Sequence, residues 1–322
     1  MTLGATQRQF LEMARKLRVQ YPGAIYHVMS RGNRRERIFL DDQDQRKFLQ
    51  TLGEACQKTG WQVHAYCLMN NHFHAVVETP EPNLVDGMKW FLGTYTSRFN
   101  RRHRVVGHLF SGRYKALPVD GSGNGYLKTA CDYVHLNPER AKLLRPEESL
   151  RQYPWSSYGE YLKAPRQRPK WIRVDRLLGE RRIPRDNAAG RREFERQMEE
   201  RRRSDQTESS KKMRRGWYLG DEEFGCELLA QMDGKIGHHH GGAERRESAA
   251  QRAESILNEE LKRRGWDQKE LKRRRKADPG KVQVARRLGK ETTMNWQWIA
   301  ASLMMGAADY AAACVRELLK QS

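Results

Sequence analysis

The sequence lacks long apolar runs. None of its 322 residues belong to a stretch approaching the roughly 20 apolar residues that a membrane-spanning helix needs. Residues 1–23 also lack the apolar segment and small-residue cleavage site of a secretory signal. We therefore expect a cytoplasmic chain with no membrane partner.

Cysteine is scarce as well. The cysteines are odd in number, widely spaced and never arranged as CxxC pairs, which argues against a disulfide framework or a zinc ribbon. We interpret all of them as reduced core residues: Cys56, Cys67, Cys131, Cys226 and Cys314.

Negative charge is under-represented. Lysine and arginine number 61 against 40 acidic residues, which gives a formal net charge of +21 and an isoelectric point near 10.0. Such a field attracts a polyanion, and no amphipathic lipid anchor is visible at the N-terminus. We expect nucleic acid as the partner and association with the nucleoid.

Hydrophobic periodicity predicts four strands and two helices in the first half. The strand-like runs are 23–31, 61–69, 72–79 and 109–119, and the helical runs are 42–59 and 83–101. Only Asn70-Asn71 separates the second and third strands, which favours a hairpin. The order β-α-β-β-α-β predicts an α+β fold with a ferredoxin-like antiparallel sheet. A further helix at 125–137 should stop or kink at Pro138.

The second half has a different composition. Residues 191–215 are strongly charged with almost no apolar face, so 164–220 is interpreted as a charged linker after a domain at 17–163. A helical region should follow at 221–322. Its segment 281–320 contains three short amphipathic runs, which suit a helix-turn-helix domain. The glycine-flanked run His238-His239-His240 is interpreted as a flexible loop.

Two histidines in the third strand are candidate metal ligands. Side chains alternate along a strand, so His72 and His74 share one face while Phe73 points to the other. Two imidazoles leave most of the coordination shell of a divalent ion open, as a catalytic site that admits a phosphate oxygen requires. The alternative is two polar residues on an exposed strand face.

The helix at 125–137 could supply a nucleophile and a third ligand. Tyr133 and Asn137 are four residues apart and therefore share a face. A tyrosine hydroxyl can attack phosphorus, and an asparagine carbonyl can complete a metal site. Tyrosines at helical spacing are usually core residues, and Tyr126 is a second candidate nucleophile.

Basic residues near these groups could line a phosphate-binding surface, although each is equally compatible with solvated surface charge. They occur in the first loop, at the end of the second helix and near the fourth strand: Arg31, Arg34, Arg35, Arg98, Arg101, Arg113 and Lys115.

Three motifs occur together in the first half. They are Met-Asn-Asn-His-Phe-His at 69–74, Phe-Ser-Gly-Arg-Tyr-Lys at 110–115 and Tyr-Val-His-Leu-Asn-Pro at 133–138. In this combination the sequence resembles the REP-associated tyrosine transposases, which are single-tyrosine HUH insertion-sequence transposases. The likeness extends over roughly residues 17–163.

The resemblance implies His72 and His74 as metal ligands, Tyr133 as the nucleophile and Asn137 as a further ligand. It implies cleavage of single-stranded DNA near hairpins, which leaves a 5′-phosphotyrosine on the enzyme and a free 3′-hydroxyl that can later reseal. Mg²⁺ or Mn²⁺ is the expected ion. Asp132 departs from the expected pattern, because a basic residue would be natural beside a nucleophile that meets DNA.

The C-terminal runs resemble the additional helix-turn-helix of some longer members of this group. Gly306 would form the turn, and a last helix with Arg316 and Lys320 could contact duplex DNA in a major groove. A protein-interaction module is the alternative for this region. The chain could be a monomer or a homodimer.

Three other functions compete with a transposase. A non-catalytic DNA-binding regulator could use the same fold. An RNA-binding protein could use a ferredoxin-like sheet, but the sequence has no RNP1-like string. A replication initiator would share the HUH chemistry, but the sequence has no Walker motif.

Overall fold

The computed structural model describes residues 19–145, 147–203, 213, 216–233 and 243–318. No helix within these ranges is long and apolar enough to cross a membrane. The run His238-His239-His240, residue Lys320 and the segment 1–18 lie outside the described residues.

One antiparallel sheet forms the centre of the N-terminal domain. Its strands are β1 (Ala24–Arg31), β2 (Gln62–Met69), β3 (His72–Thr79) and β4 (Lys115–Val119). They lie in the order β2-β3-β1-β4. Helix α1 (Asp42–Thr59) connects β1 to β2, and α2 (Leu84–His103) connects β3 to β4. The predicted ferredoxin-like order is confirmed.

One strand boundary differs from the sequence-based prediction, while the predicted hairpin turn is present. The fourth strand begins at Lys115 rather than near 109, and the preceding segment is a loop that forms a single bridge from Phe110 to Gly32. The Asn70-Asn71 turn joins β2 and β3 as predicted, and neither residue has a positive φ.

Helices α1 and α2 cover one face of the sheet. Phe73 points into this layer, where its ring centroid lies 4.8 Å from that of Phe48 and 6.1 Å from that of Phe91. The side chain of Asp41 accepts hydrogen bonds from the first turn of α1, and the helix ends at Gly60 with φ of +74°. Because Phe73 is buried here, its neighbours on β3 face the opposite side.

That opposite side is covered by helix α3 (Tyr126–His135), which packs against β2 and β3. The short helix α4 (Asn137–Arg140) follows after a break at Leu136, where φ and ψ are −90° and 3°. Pro138 lies in the first turn of α4, where its missing N–H costs no helical hydrogen bond. The predicted kink is confirmed.

The interval 164–220 is not a linker where the structure describes it. Helix α5 (Tyr158–Leu162) lies just before this interval, and helices α6 (Asp175–Glu180) and α7 (Ala188–Arg203) lie within it. All three belong to the same hydrophobic core as the sheet. Phe194 and Met198 of α7 are fully buried, and the Phe194 ring stacks on Tyr161 at 4.7 Å. The prediction failed because two apolar residues four positions apart are enough to bury one side of a helix whose other residues are mostly charged.

A second hydrophobic core lies in the C-terminal part. Helix α8 (Glu222–Asp233) precedes it, and Phe224 and Leu228 of α8 line a pocket with Ile25 of β1 and Val119 of β4. The helices of the second core are α9 (Ala243–Arg264), α10 (Gln268–Arg273), α11 (Pro279–Glu291), α12 (Trp296–Ser302) and α13 (Ala308–Leu318). The three runs predicted as helices are α11, α12 and α13, and Gly306 forms the turn before α13 with φ of +88°. The ammonium of Lys58 on α1 donates to the carbonyl oxygens of Gly289 and Lys290, which joins the two parts.

All five cysteines are free. Cys56, Cys67 and Cys131 are buried as predicted, but Cys226 is exposed on α8 and Cys314 is only partly buried. The interpretation as a core residue is therefore wrong for Cys226.

Candidate active site

The two candidate metal ligands lie on the face of the sheet that α3 covers. In the β1–β3 register, His72 is opposite Arg31 and His74 is opposite Met29. Directly opposed residues of antiparallel strands share a face, so His27, two positions before Met29, lies on this face as well. The sheet therefore brings three histidines together under α3.

The ring nitrogens of both candidate ligands are partly committed. Nδ1 of His72 is hydrogen bonded to Oδ1 of Asn71 at 2.7 Å, and Nδ1 of His74 to Nε2 of His27 at 2.9 Å. The His27 and His74 ring planes differ by only 7°. The two nitrogen atoms are closer together than stacked rings can approach. The rings therefore lie side by side, and the hydrogen bond runs in their common plane. In both histidines Nε2 is the nitrogen left for a metal ion.

Burial keeps these imidazoles neutral. Burial and the nearby charge of Arg31 lower the pKa of His72 to about 4. Burial, with His27, His72, Arg31 and Arg140 adding to it, holds the pKa of His74 well below its usual value. Burial lowers the pKa of His27 to about 4. Neutral imidazole is the form that binds a metal ion.

Tyr133 lies against this histidine group. Its ring centroid is 5.6 Å from that of His27 and 5.7 Å from that of His74, both in edge-on geometry. Arg140 of α4 places its guanidinium 4.7 Å above the tyrosine ring and donates to the Tyr133 carbonyl oxygen at 2.7 Å. Tyr126, the other candidate nucleophile, has no ring contact with a histidine among the described residues.

Asn137 fits the role of a third ligand by its chemistry. Its side chain is buried, and its Nδ2 has no hydrogen-bond partner within the described part of the chain. Amide oxygen and nitrogen can be exchanged in assignment, so the position can hold an oxygen that a cation would satisfy. Among the described residues no group of three His, Cys, Asp or Glu side chains could hold a metal ion. A third protein ligand beside the two imidazoles would therefore be of another type, and an amide oxygen at Asn137 has suitable chemistry.

A basic pocket lies beside the histidines. It has a volume of about 280 Å³ and is lined at one end by Met29 and Ser30 of β1 and Ser111 of the loop before β4. Five of the seven basic residues predicted to bind DNA also line it: Arg31, Arg34, Arg35, Arg113 and Lys115. Arg31 pairs across the strands with His72, so the pocket borders the candidate metal site.

The other two basic residues lie elsewhere. Arg98 forms an ion pair with Glu54 of α1 at 2.7 Å, in the helix layer on the far side of the sheet. Arg101 is exposed near the end of α2 and does not line the pocket. The structure therefore does not bring these two residues to the histidine group.

A family comparison covers this same region. Residues 20–137 match the family model described as IS200-like transposase. The N-terminal domain is thus similar to IS200-like transposases, and this similarity supports a role in DNA transposition. Among solved structures, a REP-associated tyrosine transposase bound to a REP hairpin is similar, with 12% identity and a TM-score of 0.39 over 47% of this chain and 86% of that chain. No curated protein matches the sequence.

Within the N-terminal domain, the unexpected Asp132 faces away from the histidines. It is buried and forms an ion pair with Arg181 at the end of α6, with Arg201 of α7 a further 3.6 Å partner. Burial raises the pKa of Asp132, and the charge of Arg181 opposes that rise. Asp132 thus anchors α3 to the helices that follow and does not face the basic pocket.

Three residues of this site were missed in the sequence: His27, Asn71 and Arg140. His27 lies on the same face of β1 as Arg31, so it could have been identified if the pairing register of β1 and β3 had been known. Asn71 was considered only as a turn residue. Arg140 had no local signal, because its contact with Tyr133 depends on the break at Leu136. His135, two residues after Tyr133, is buried and hydrogen bonds to Ser157 at 2.9 Å, so it belongs to the packing of the domain.

Proposed function

We propose that this protein is a metal-dependent single-strand DNA transposase that cleaves and rejoins DNA near hairpins through a 5′-phosphotyrosine on Tyr133. The observation that carries the proposal is the contact of the Tyr133 ring with His74, whose Nε2 is available to a metal ion while its Nδ1 is hydrogen bonded. Nucleophile and metal ligand are thereby in one place.

In this mechanism the Tyr133 hydroxyl attacks the scissile phosphorus. A bond forms between the tyrosine oxygen and phosphorus, the bond to the 3′ oxygen breaks, and the tyrosine proton is lost while the leaving oxygen gains one. A Mg²⁺ or Mn²⁺ ion held by His72, His74 and Asn137 would supply Lewis-acid polarisation of the phosphate. The phosphotyrosine retains the energy of the broken bond, so a 3′-hydroxyl can reseal the strand without ATP.

The chain offers residues that could position DNA for this reaction. The five basic residues of the pocket beside His72 would hold phosphates and fix the register of the strand. Arg140 packs on the Tyr133 ring and holds its backbone, which limits the positions of the hydroxyl. We also propose that α11 to α13 contact duplex DNA and that the protein acts in the cytoplasm at the nucleoid.

The RNA-binding alternative is less well supported. RNA-binding domains on a ferredoxin-like sheet stack bases on aromatic residues of an open sheet face. Here helices cover both faces, and the strand-adjacent aromatics Trp61, Phe110 and Tyr114 are buried. The non-catalytic regulator differs from the proposed enzyme only in turnover, which an experiment can decide.

The test is formation of a covalent adduct. Purified protein is mixed with end-labelled single-stranded hairpin oligonucleotides from the flanks of its own gene, with Mg²⁺ or Mn²⁺, and resolved on denaturing gels. We expect a metal-dependent protein–DNA adduct that is absent in Tyr133→Phe and His72→Ala and retained in Tyr126→Phe, the matched control. Tight hairpin binding without an adduct from any flank would support the regulator instead.

A further inference from the structure

The side chain of Asn71 connects the candidate metal site to the basic pocket. Its Nδ2 donates to the carbonyl oxygen of Arg35 at 3.0 Å, and its Oδ1 lies 2.7 Å from Nδ1 of His72. A carbonyl oxygen can only accept a hydrogen bond, so the amide end that faces Arg35 must be the NH₂ group. The other end is then the oxygen, and Nδ1 of His72 must be the donor.

This assignment fixes the tautomer of His72. A neutral imidazole carries one proton, and if Nδ1 carries it, Nε2 keeps the lone pair that a metal ion needs. Partners of this kind orient a metal-binding histidine and raise its basicity. The amide oxygen of Asn71 therefore prepares His72 to bind through Nε2.

The other end of the amide acts on the loop that follows β1. Arg34 and Arg35 have φ of 51° and 66°, a left-handed conformation that is unfavourable for a residue with a side chain such as arginine. Hydrogen bonds to the β2–β3 turn hold this conformation: Gly32 N to Asn71 O at 2.8 Å and Ile38 N to Asn70 O at 3.0 Å. The Asn71 amide adds the only side-chain bond from the turn to this loop among the described residues.

We propose that Asn71 is a positioning residue that holds the metal ligand His72 and the arginine loop in register with each other. The inference rests on the proposed function, because it takes His72 as a ligand and Arg34 and Arg35 as phosphate contacts. It predicts that one substitution can separate the two roles. A carboxylate at position 71 still accepts from His72 but cannot donate to the Arg35 carbonyl.

The test compares Asn71→Asp and Asn71→Ala with Asn70→Asp and Asn70→Ala. Asn70 is the adjacent turn residue, and its side chain is exposed, so its variants control for added charge and for changes to the turn. Mn²⁺ affinity is measured without DNA by electron paramagnetic resonance. Binding of a labelled hairpin oligonucleotide is measured in EDTA, and tryptic cleavage after Arg34 and Arg35 is followed by mass spectrometry.

We expect Asn71→Ala to weaken Mn²⁺ binding by about 10-fold or more, as loss of a ligand's hydrogen-bond partner does. Asn71→Asp should keep the wild-type Mn²⁺ affinity. Both Asn71 variants should be cut faster after Arg34 and Arg35 and should bind the oligonucleotide more weakly than the corresponding Asn70 variant. His72→Ala should lose Mn²⁺ binding alone.

Two results would overturn the proposal. Asn71→Ala that binds Mn²⁺ like the wild type would remove the role toward His72. Asn71→Asp that matches Asn70→Asp in DNA binding and proteolysis would remove the role toward the loop. Equal Mn²⁺ binding by the wild type and His72→Ala is a different outcome, because it would reject the metal site of the proposed function and this inference with it.

Discussion

Arg181→Leu should destabilise the N-terminal domain by leaving a buried carboxylate without its main partner. Asp132 of α3 is 3% exposed and Arg181 is 7% exposed, and the two side chains form an ion pair. The guanidinium also lies 5.3 Å above the Phe194 ring of α7. The pair thus connects α3, which carries Tyr133, to the helices that follow the sheet.

The size of the effect follows from what remains after the substitution. Removing one member of a buried ion pair costs about 3–5 kcal/mol, whereas replacing both members by apolar residues is often neutral. We expect about 3 kcal/mol for Arg181→Leu, because Arg201 still lies near the carboxylate. In a domain of this size that loss corresponds to a fall in melting temperature of roughly 6–12 °C. The double variant with Asp132→Leu should recover most of it.

The loss should depend on pH. Without Arg181, only the charges of Arg201 and Lys128 still oppose the effect of burial on Asp132, so its pKa in the folded state rises further above that of the unfolded chain. The folded variant then binds a proton that the unfolded chain does not, and stability increases as the pH falls. The difference between wild type and Arg181→Leu should therefore be smaller at pH 5 than at pH 7.

The assay is thermal unfolding followed by near-ultraviolet circular dichroism, with Arg196→Leu as the control. Arg196 pairs with Glu193 on the same packed segment, but its side chain is 60% exposed, so its loss should leave the melting temperature almost unchanged. An Arg181→Leu protein that melts together with the control, or a loss that is the same at both pH values, would refute the role of this pair.

Three further perturbations address other contacts. His27→Ala removes the hydrogen-bond partner of the candidate ligand His74 and should weaken Mn²⁺ binding about 10- to 100-fold. An electron paramagnetic resonance titration should show this loss and its partial recovery in His27→Gln, and unchanged affinity would contradict it. Lys58→Met should loosen α11 from α1 by about 1–2 kcal/mol and speed its hydrogen exchange, and unaltered exchange would show that the contact contributes nothing. Burial by itself raises the pKa of Glu78, but His64 and Arg176 bring it down to about 2. After solvent screening, the free energy of unfolding of the wild type should therefore exceed that of Glu78→Gln by about 1–2 kcal/mol. Since a depressed pKa stabilises above the unfolded value, urea titrations should show this advantage disappearing between pH 4.5 and 2, and a constant difference would exclude it.

The order of strands and helices could be predicted because it depends on local patterns. Alternation along β3 places His72 and His74 on one face without any knowledge of the rest of the chain. His27 could not be found in that way. It lies 47 residues from His74, and their contact depends on the pairing of β1 with β3 and on the register of that pair. One histidine in an apolar strand carries no sign of this.

The charged segment after residue 163 shows a different limit. The charged composition suggested a linker, yet Phe194 and Met198 bury one side of α7 against Tyr161 and α3. The apolar stripe is too narrow to stand out among the surrounding arginines and glutamates. Its partners come from parts of the chain that only the folded structure brings near.

Asp132 shows both what a local helix pattern can predict and what depends on the folded chain. Consecutive residues of a helix differ by about 100° in direction, so an aspartate next to the nucleophile need not share its surroundings. Helix geometry alone therefore removes the conflict between Asp132 and a DNA phosphate at Tyr133. It cannot supply the partner, since Arg181 lies 49 residues further along the chain. Adduct formation by Arg181→Leu can be measured at 37 °C, where its lost stability matters, and at 15 °C, where it does not. A loss of adduct at 37 °C alone, in proportion to the loss of stability, would show that the pair acts by holding α3 in place. An equal loss at both temperatures would place Asp132 in the reaction itself.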